Sequence, residues 1–219
     1  MPLDPRSLLH GIDAVVFDLD GTLIDSEKAI CAAASLGFRD VDVGVDEAAI
    51  ADHLGAPLEE LYAFFVGDTD PQRRSHFISR YIHHHDEHPE RDPPPLPGVV
   101  AGLAGLAARG LPLAVATTKP TSRAAQQLKA CGLFSHFLHV QGTDPPMRPK
   151  PARDVVVAAL AALKIAPERA MMVGDTARDV GAARNAGTRA VIVAYGPHRL
   201  TLARKLGADA VLPSLALLV

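Results

Sequence analysis

The chain of 219 residues has only two cysteines, Cys31 and Cys131, set far apart. Such spacing makes no disulfide framework and points to a reducing compartment. No stretch approaches the ~18 uninterrupted apolar residues of a membrane span. The first residues, MPLDPRSLLHGID, carry no long apolar segment behind a basic start, so no secretory leader is expected either. A basic block is also missing: 22 Lys and Arg stand against 25 Asp and Glu, for a net charge of -3. That balance argues against non-specific nucleic-acid binding. Internal repeats are absent, and the one low-complexity feature is a proline run near residue 94. The expectation is a soluble cytoplasmic protein. With 48% hydrophobic residues it can bury a sizeable core, as one large domain or a domain with an insert.

What is present falls into two patterns. Ile12 to Asp18 reads as a buried strand, a short apolar run with β-branched residues. From Glu27 to about Arg91 the pattern is helical. Asp46 can cap a helix through EAAIADHL, Pro57 suits the start of PLEELYAFF, and Asp70-Pro71 opens QRRSHFISRYIHHH. RDPPPLPG then breaks the pattern. After Gly98 helices alternate with the apolar strands LPLAVATT, HFLHV, RAMMVGD, RAVIVAYG and DAVLP. This alternation predicts an α/β fold, a Rossmann-like doubly wound parallel sheet covered on both faces. The first strand belongs to the same sheet. Residues 1–26 and 94–219 therefore make the core, and 27–93 an inserted α-helical domain.

Ligands of open α/β sheets gather beyond the carboxyl ends of the strands. That edge collects Asp18, Asp20, Thr117, Thr118 and Asp175, each closing an apolar run, with Lys150 in the loop before a later helix. Two aspartates a residue apart in AVVFDLDGTLIDS exceed what a turn needs and suggest that something positively charged is held there. No G-x-G-x-x-G follows any strand, so a dinucleotide site is not supported. Taken singly each residue has an ordinary reading: a turn aspartate, strand-end threonines, a loop lysine. Asp179 by itself would favour a helix N-terminus.

The segments DLDGTLIDS, VATTKPT, RPKP and VGDTARDVGAARNAG, in this order and spacing, resemble the four motifs of the haloacid dehalogenase superfamily of hydrolases. Members similar to phosphoglycolate phosphatases, with a helical cap after the first motif, are the nearest in pattern, and the likeness covers essentially the whole chain. The resemblance implies a phosphatase with Asp18 as nucleophile, forming an aspartyl-phosphate that water later cleaves. Asp20, which an extended chain brings to the same face roughly 6–7 Å away, would be the general acid and then the base. Thr117 would donate its hydroxyl and Thr118 its backbone amide to the phosphate. Lys150 would supply positive charge, and Gly21 would let backbone amides approach. Mg²⁺ would offset the repulsion between Asp18 and phosphate, held by the Asp18 and Asp175 carboxylates and the Asp20 carbonyl. Asp179 would orient those ligands or hold a metal-bound water. The third motif departs from the common Lys-Pro-x-Pro, with Arg153 at the second proline. Thr118 stands where relatives often carry Asn.

Several rivals inside the superfamily differ at identifiable positions. Dehalogenases lack the aspartate two after the nucleophile, so Asp20 weighs against them. Phosphonate-cleaving relatives use a cap lysine, and Lys28, the lone cap lysine, lies too near the hinge. A phosphosugar mutase, similar to β-phosphoglucomutase, keeps both aspartates, and pyrophosphatases and nucleotidases remain alternatives. A non-catalytic phospho-ligand sensor would be expected to have lost a motif residue, and none is lost. In the insert His53 is the first candidate for a contact to the leaving group, with Arg39, Arg73 or Arg74 as further anchors. His83, His84 and His85 splay over a helix at ~100° per residue and make a partly exposed helix rather than a metal site. The expected partner is a small phosphorylated metabolite, with no nucleic acid or membrane, for a monomer or homodimer.

Overall fold

The computed structural model describes residues 7–67, 70–88 and 90–219. In chain order the elements are β1 (Ala14–Phe17), α1 (Glu27–Arg39), α2 (Glu47–Ala51), α3 (Leu58–Val66), α4 (Pro71–Glu87) and α5 (Val99–Ala108). There follow β2 (Leu113–Ala116), α6 (Thr121–Ala130), β3 (His139–Gln141), α7 (Asp154–Leu163) and β4 (Ala170–Gly174). The last are α8 (Ala177–Ala186), β5 (Arg189–Val193), α9 (Pro197–Ala203) and β6 (Ala210–Leu212).

The six strands form one sheet in the order β3-β2-β1-β4-β5-β6, and every pairing is parallel. Side chains alternate across a strand, so Val15 and Phe17 enter the apolar core on one face and Val16 the core on the other. A strand buried on both faces must be apolar throughout, and AVVF is. After β1 the chain builds outward through β2 and β3, then returns to place β4 on the other flank of β1. Strand order reverses between β1 and β4, the place where such sheets bind ligands beyond their carboxyl ends.

The described chain divides into two compact units, one with residues up to Ile24 and Pro94–Val219, the other Asp25–Pro93. The second is all helix. Its core packs Phe38, Tyr62, Phe77 and Tyr81, with Phe38 and Phe77 stacked at 4.3 Å between centroids. Local signals set its helices. Asp70 accepts from Gln72 N at 2.9 Å ahead of Pro71 at the first helical position. Gly67, at φ 72°, closes α3 in the left-handed conformation. In the first unit the chain leaves and re-enters at a paired point: Leu96 N donates to Leu23 O at 2.9 Å, and Ile24 bridges Pro95.

Two details differ from the sequence reading. HFLHV pairs only from His139, because Phe134–His136 forms a 3₁₀ turn and Leu138 stays 75% exposed ahead of an edge strand with one neighbour. EAAIADHL is helical only to Ala51; His53 and Leu54 then donate to Ile50 and Ala51, the tighter three-residue bonds that close a helix end. On α4 Phe77, Tyr81 and His85 are buried, with Ile78 and Ile82 partly buried against the same core.

Candidate active site

β1 and β4 end side by side, with Phe17 level with Val173, so Asp18 and Asp175 emerge on either side of the switch point. Asp18 N still donates to Val173 O at 2.9 Å, which ties the aspartate's backbone to the sheet. Asp179 sits at the third position of α8, where Thr176 and Asp179 form a reciprocal capping box. Its Oδ2 accepts from Thr176 N at 3.0 Å, Thr176 Oγ1 at 2.6 Å and Asp175 N at 3.2 Å. The carboxylate thereby both starts the helix and fixes the turn that carries Asp175.

Lys150 is the counter-charge. It is 2% exposed, and its Nζ lies 2.5 Å from Asp179 Oδ1 and 2.7 Å from Asp18 Oδ1. The contact to Asp18 is an ion pair without the angles of a hydrogen bond, and Asp18 Oδ1 has no hydrogen-bond partner. Burial alone would lower the lysine's pKa, but Asp179 and Asp18 outweigh it and hold the ammonium charged, above its ordinary range. Asp18 moves the other way. Burial pushes its carboxyl up to about 7, against the pull of Lys150 and with the added repulsion of Asp179 and Asp20. Asp175 is also raised well above the usual carboxylate range, by burial first and then by Asp179 and Asp18. Thr22 Oγ1 donates to its Oδ1 at 3.2 Å.

Carboxylate oxygens of Asp18, Asp175 and Asp179 lie within 4.8 Å of one another. Three carboxylates against one ammonium leave an excess of negative charge in a largely buried place, and isolated buried charge is costly. A hard divalent cation taking oxygen ligands fits that excess and that donor set. The backbone is shaped around the carboxylates too. Gly21 has φ 75°, and a Cβ there would lie 2.3 Å from Asp175 Oδ2; one at Gly174 would lie 2.2 Å from Asp179 Cγ. Both glycines leave the room the carboxylates occupy. Gly21's own amide donates to Ile24 O at 3.0 Å, so this glycine serves Asp175 as a space rather than as a free donor.

On the other flank β2 ends at Ala116, and Thr117 N continues the ladder to Gln141 O at 3.0 Å. Thr117 is buried and its Oγ1 accepts from Lys119 N at 3.2 Å, which leaves the hydroxyl proton free to donate. Thr118 Oγ1 is buried with no hydrogen-bond partner, a hydroxyl as well as the amide the sequence pointed to. Asp20 is engaged by Lys119, Nζ to Oδ1 3.0 Å. Nothing in VATTKPT singles that lysine out, because a loop lysine reads as solvent-facing polarity. Arg153 precedes α7 as its N-cap residue, without a side-chain cap bond.

The residues offered from the insert lie in the other unit. His53 Nδ1 is 3.0 Å from Ala49 O, and its ring packs on Phe64 at 4.1 Å between centroids. Arg73 donates to Val41 O at 2.6 Å, a bond inside the helical unit. Of the histidines in α4, His84 meets Asp40 Oδ2 at 2.7 Å, beside Arg80.

Fold and site together define a class: parallel α/β enzymes that gather carboxylates and a lysine at the switch point of the sheet. The family model of haloacid dehalogenase-like hydrolases matches residues 15–193, and the chain belongs to that family. It is 34% identical to a phosphoglycolate phosphatase of Rhodospirillum rubrum, over 93% of this chain and 88% of that one. It is also 34% identical to one of Chromobacterium violaceum, over 95% of each. A crystal structure of a predicted phosphatase from Clostridium acetobutylicum superposes with a TM-score of 0.82 at 27% identity, covering 93% of this chain and 94% of that one.

Proposed function

We propose that this phosphatase hydrolyses small phosphate monoesters through an aspartyl-phosphate on Asp18. The observation that carries the reading is the buried arrangement of Asp18 and Asp179 on Lys150, with Asp175 beside them. Asp18 Oδ attacks phosphorus as the bond to the leaving oxygen breaks, and Asp20 gives that oxygen a proton. Asp20, now a carboxylate, takes a proton from the water that attacks the phosphorus and frees inorganic phosphate. Lys150 holds Asp18 in place and faces the phosphoryl charge as it shifts. Thr117 and Thr118 offer hydroxyls to the phosphate oxygens, the first with its proton unspent and the second with no partner of its own.

The residues fit Mg²⁺, with the Asp18 and Asp175 carboxylates and the Asp20 carbonyl as ligands and Asp179 orienting them. Bound there, the ion would neutralise the repulsion between the nucleophile and an anionic substrate. The helical unit Asp25–Pro93 serves as a cap that selects substrates, and His53 is its residue for the leaving group. Its relatives named phosphoglycolate phosphatases support a small acidic phosphate ester as substrate. A cytoplasmic monomer or homodimer suits such a task.

A phosphatase assay over a panel of phosphorylated metabolites, 2-phosphoglycolate among them, tests the reading. Turnover should vanish in EDTA and return with Mg²⁺. Activity that persists without metal would contradict the cofactor assignment, and inactivity on every monoester would contradict the function.

A further inference from the structure

Lys119 lies outside the charge cluster, yet it touches the one group expected to move protons. Its Nζ donates to Asp20 Oδ1 at 3.0 Å and also to Gln127 Oε1. Gln127 is 4% exposed on α6, and in the Lys119–Asp20 pair the side chains are 11% and 22% exposed. This is a largely enclosed, charge-assisted contact, stronger than a surface pair. The backbone beneath it is equally fixed. Lys119 N donates to Thr117 Oγ1 at 3.2 Å, and Lys119 O accepts from Thr143 N at 3.1 Å. Gly142 allows the close approach, since a Cβ there would lie 2.3 Å from Lys119 O.

Asp20 lies three residues past the end of β1, and a carboxylate there has several rotamers open to it. Only those facing the leaving oxygen serve proton transfer, and small displacements of a reacting group cost rate steeply. We propose that Lys119 is a positioning residue. Its side chain, braced by Gln127, holds the Asp20 carboxyl in place, while its amide holds the Thr117 hydroxyl, so one residue sets the proton donor against the phosphate site. The proposal rests on the reading of Asp20 as proton donor.

The test is a leaving-group series of aryl phosphates, from p-nitrophenyl to phenyl phosphate, with kcat/KM measured for wild type, Lys119→Met, Lys119→Arg, Asp20→Asn and the Lys119→Met/Asp20→Asn pair. This ratio reports only the steps up to loss of the phenol. Phenyl phosphate needs the proton more than p-nitrophenyl phosphate does. Lys119→Met should lower kcat/KM for phenyl phosphate about 10- to 100-fold more than for p-nitrophenyl phosphate, a part of the ~10²–10⁴-fold of a lost acid. Lys119→Arg, which keeps a cation near Asp20, should recover part of that difference. In the Asp20→Asn background Lys119→Met should add little, because its effect runs through Asp20. Equal loss across the series, or full additivity in the double variant, would mean that Lys119 merely attracts anions or stabilises the loop, and would overturn the proposal. If Asp20→Asn itself shows no dependence on the leaving group, the reading of Asp20 fails first, and the positioning role with it.

Discussion

The two units of the chain share surface ion pairs and differ in the charge they bury. In the sheet unit Asp18, Lys150 and Asp179 are buried and grouped within hydrogen-bonding distance. In the helical unit Lys28–Glu90, at 2.7 Å, is a surface pair whose side chains are 71% and 49% exposed. Exposed pairs contribute little and are easily exchanged. Buried charge, by contrast, has to be matched group by group, since removing one partner leaves the others uncompensated. The sheet unit therefore keeps an arrangement that a stability argument alone would not favour, which supports the proposal that the chemistry lies there. The helical unit is built like an ordinary small bundle around Phe38, Tyr62, Phe77 and Tyr81.

Removing the counter-charge should break this contrast most severely. Lys150→Met leaves two buried carboxylates facing each other, and breaking a buried pair typically costs about 3–5 kcal/mol. Turnover should be lost and the metal-free protein should melt well below wild type. Mg²⁺ should return part of the melting temperature. A variant as stable as wild type without metal would show that the cluster is better solvated than its burial implies.

The next effect concerns pH. Asp18 has a folded pKa of about 7 against an ordinary value of 3.8. Between those values the native state holds a proton that the unfolded chain has released. Stability must therefore fall as pH rises through that window, and Asp175 acts in the same direction. Asp13, Asp40, Asp154 and Asp209 have lowered pKa values, owing chiefly to hydrogen bonds from arginine or, for Asp209, to such bonds overcoming burial. They titrate below the window and do not oppose the trend. Metal-free protein should melt higher at about pH 5.5 than at about pH 7.5, and Asp18→Asn should flatten the difference. The gain from Mg²⁺ should be larger at the higher pH, where the ion no longer competes with protons. Melting temperatures that rise with pH across this range in EDTA would contradict the assignment.

The smallest effect is expected in the helical unit. His53→Ala should reorder substrates by kcat/KM, with slow hydrolysis of p-nitrophenyl phosphate falling far less than that of the best metabolite. A uniform fall would make His53 a packing residue against Phe64 and Ala49 rather than a selector.

How much of this was visible in the sequence also divides along the two units. Apolar strands ending in Asp18, Thr117 and Asp175 announce both the sheet and its working edge, because a strand buried on both faces has no other place for a carboxylate. Lys150 and Asp179 stand out through the resemblance of RPKP and VGDTARDVGAARNAG to the family's motifs, since each alone reads as an ordinary loop lysine or helix-start aspartate. Lys119 did not, since its partners Asp20 and Gln127 are brought to it only by folding. The orphaned Thr118 hydroxyl and the space kept by Gly174 for Asp179 are likewise facts of packing, which no local pattern encodes. In the helical unit the caps at Asp46 and Asp70 were legible because they act within one turn. The pattern EAAIADHL carries a helix past His53, but α2 ends at Ala51, where three-residue bonds replace the α-helical ones.

The central claim is that Asp18 carries the phosphoryl group. Acid quenching of the enzyme during turnover, followed by peptide mass spectrometry, should find the mass of one phosphoryl group on the peptide containing Asp18. The Asp18→Asn protein, folded by circular dichroism, should give neither that adduct nor turnover. Wild-type turnover with no adduct on Asp18 under any quench time, or hydrolysis by Asp18→Asn at the wild-type rate, would contradict the account.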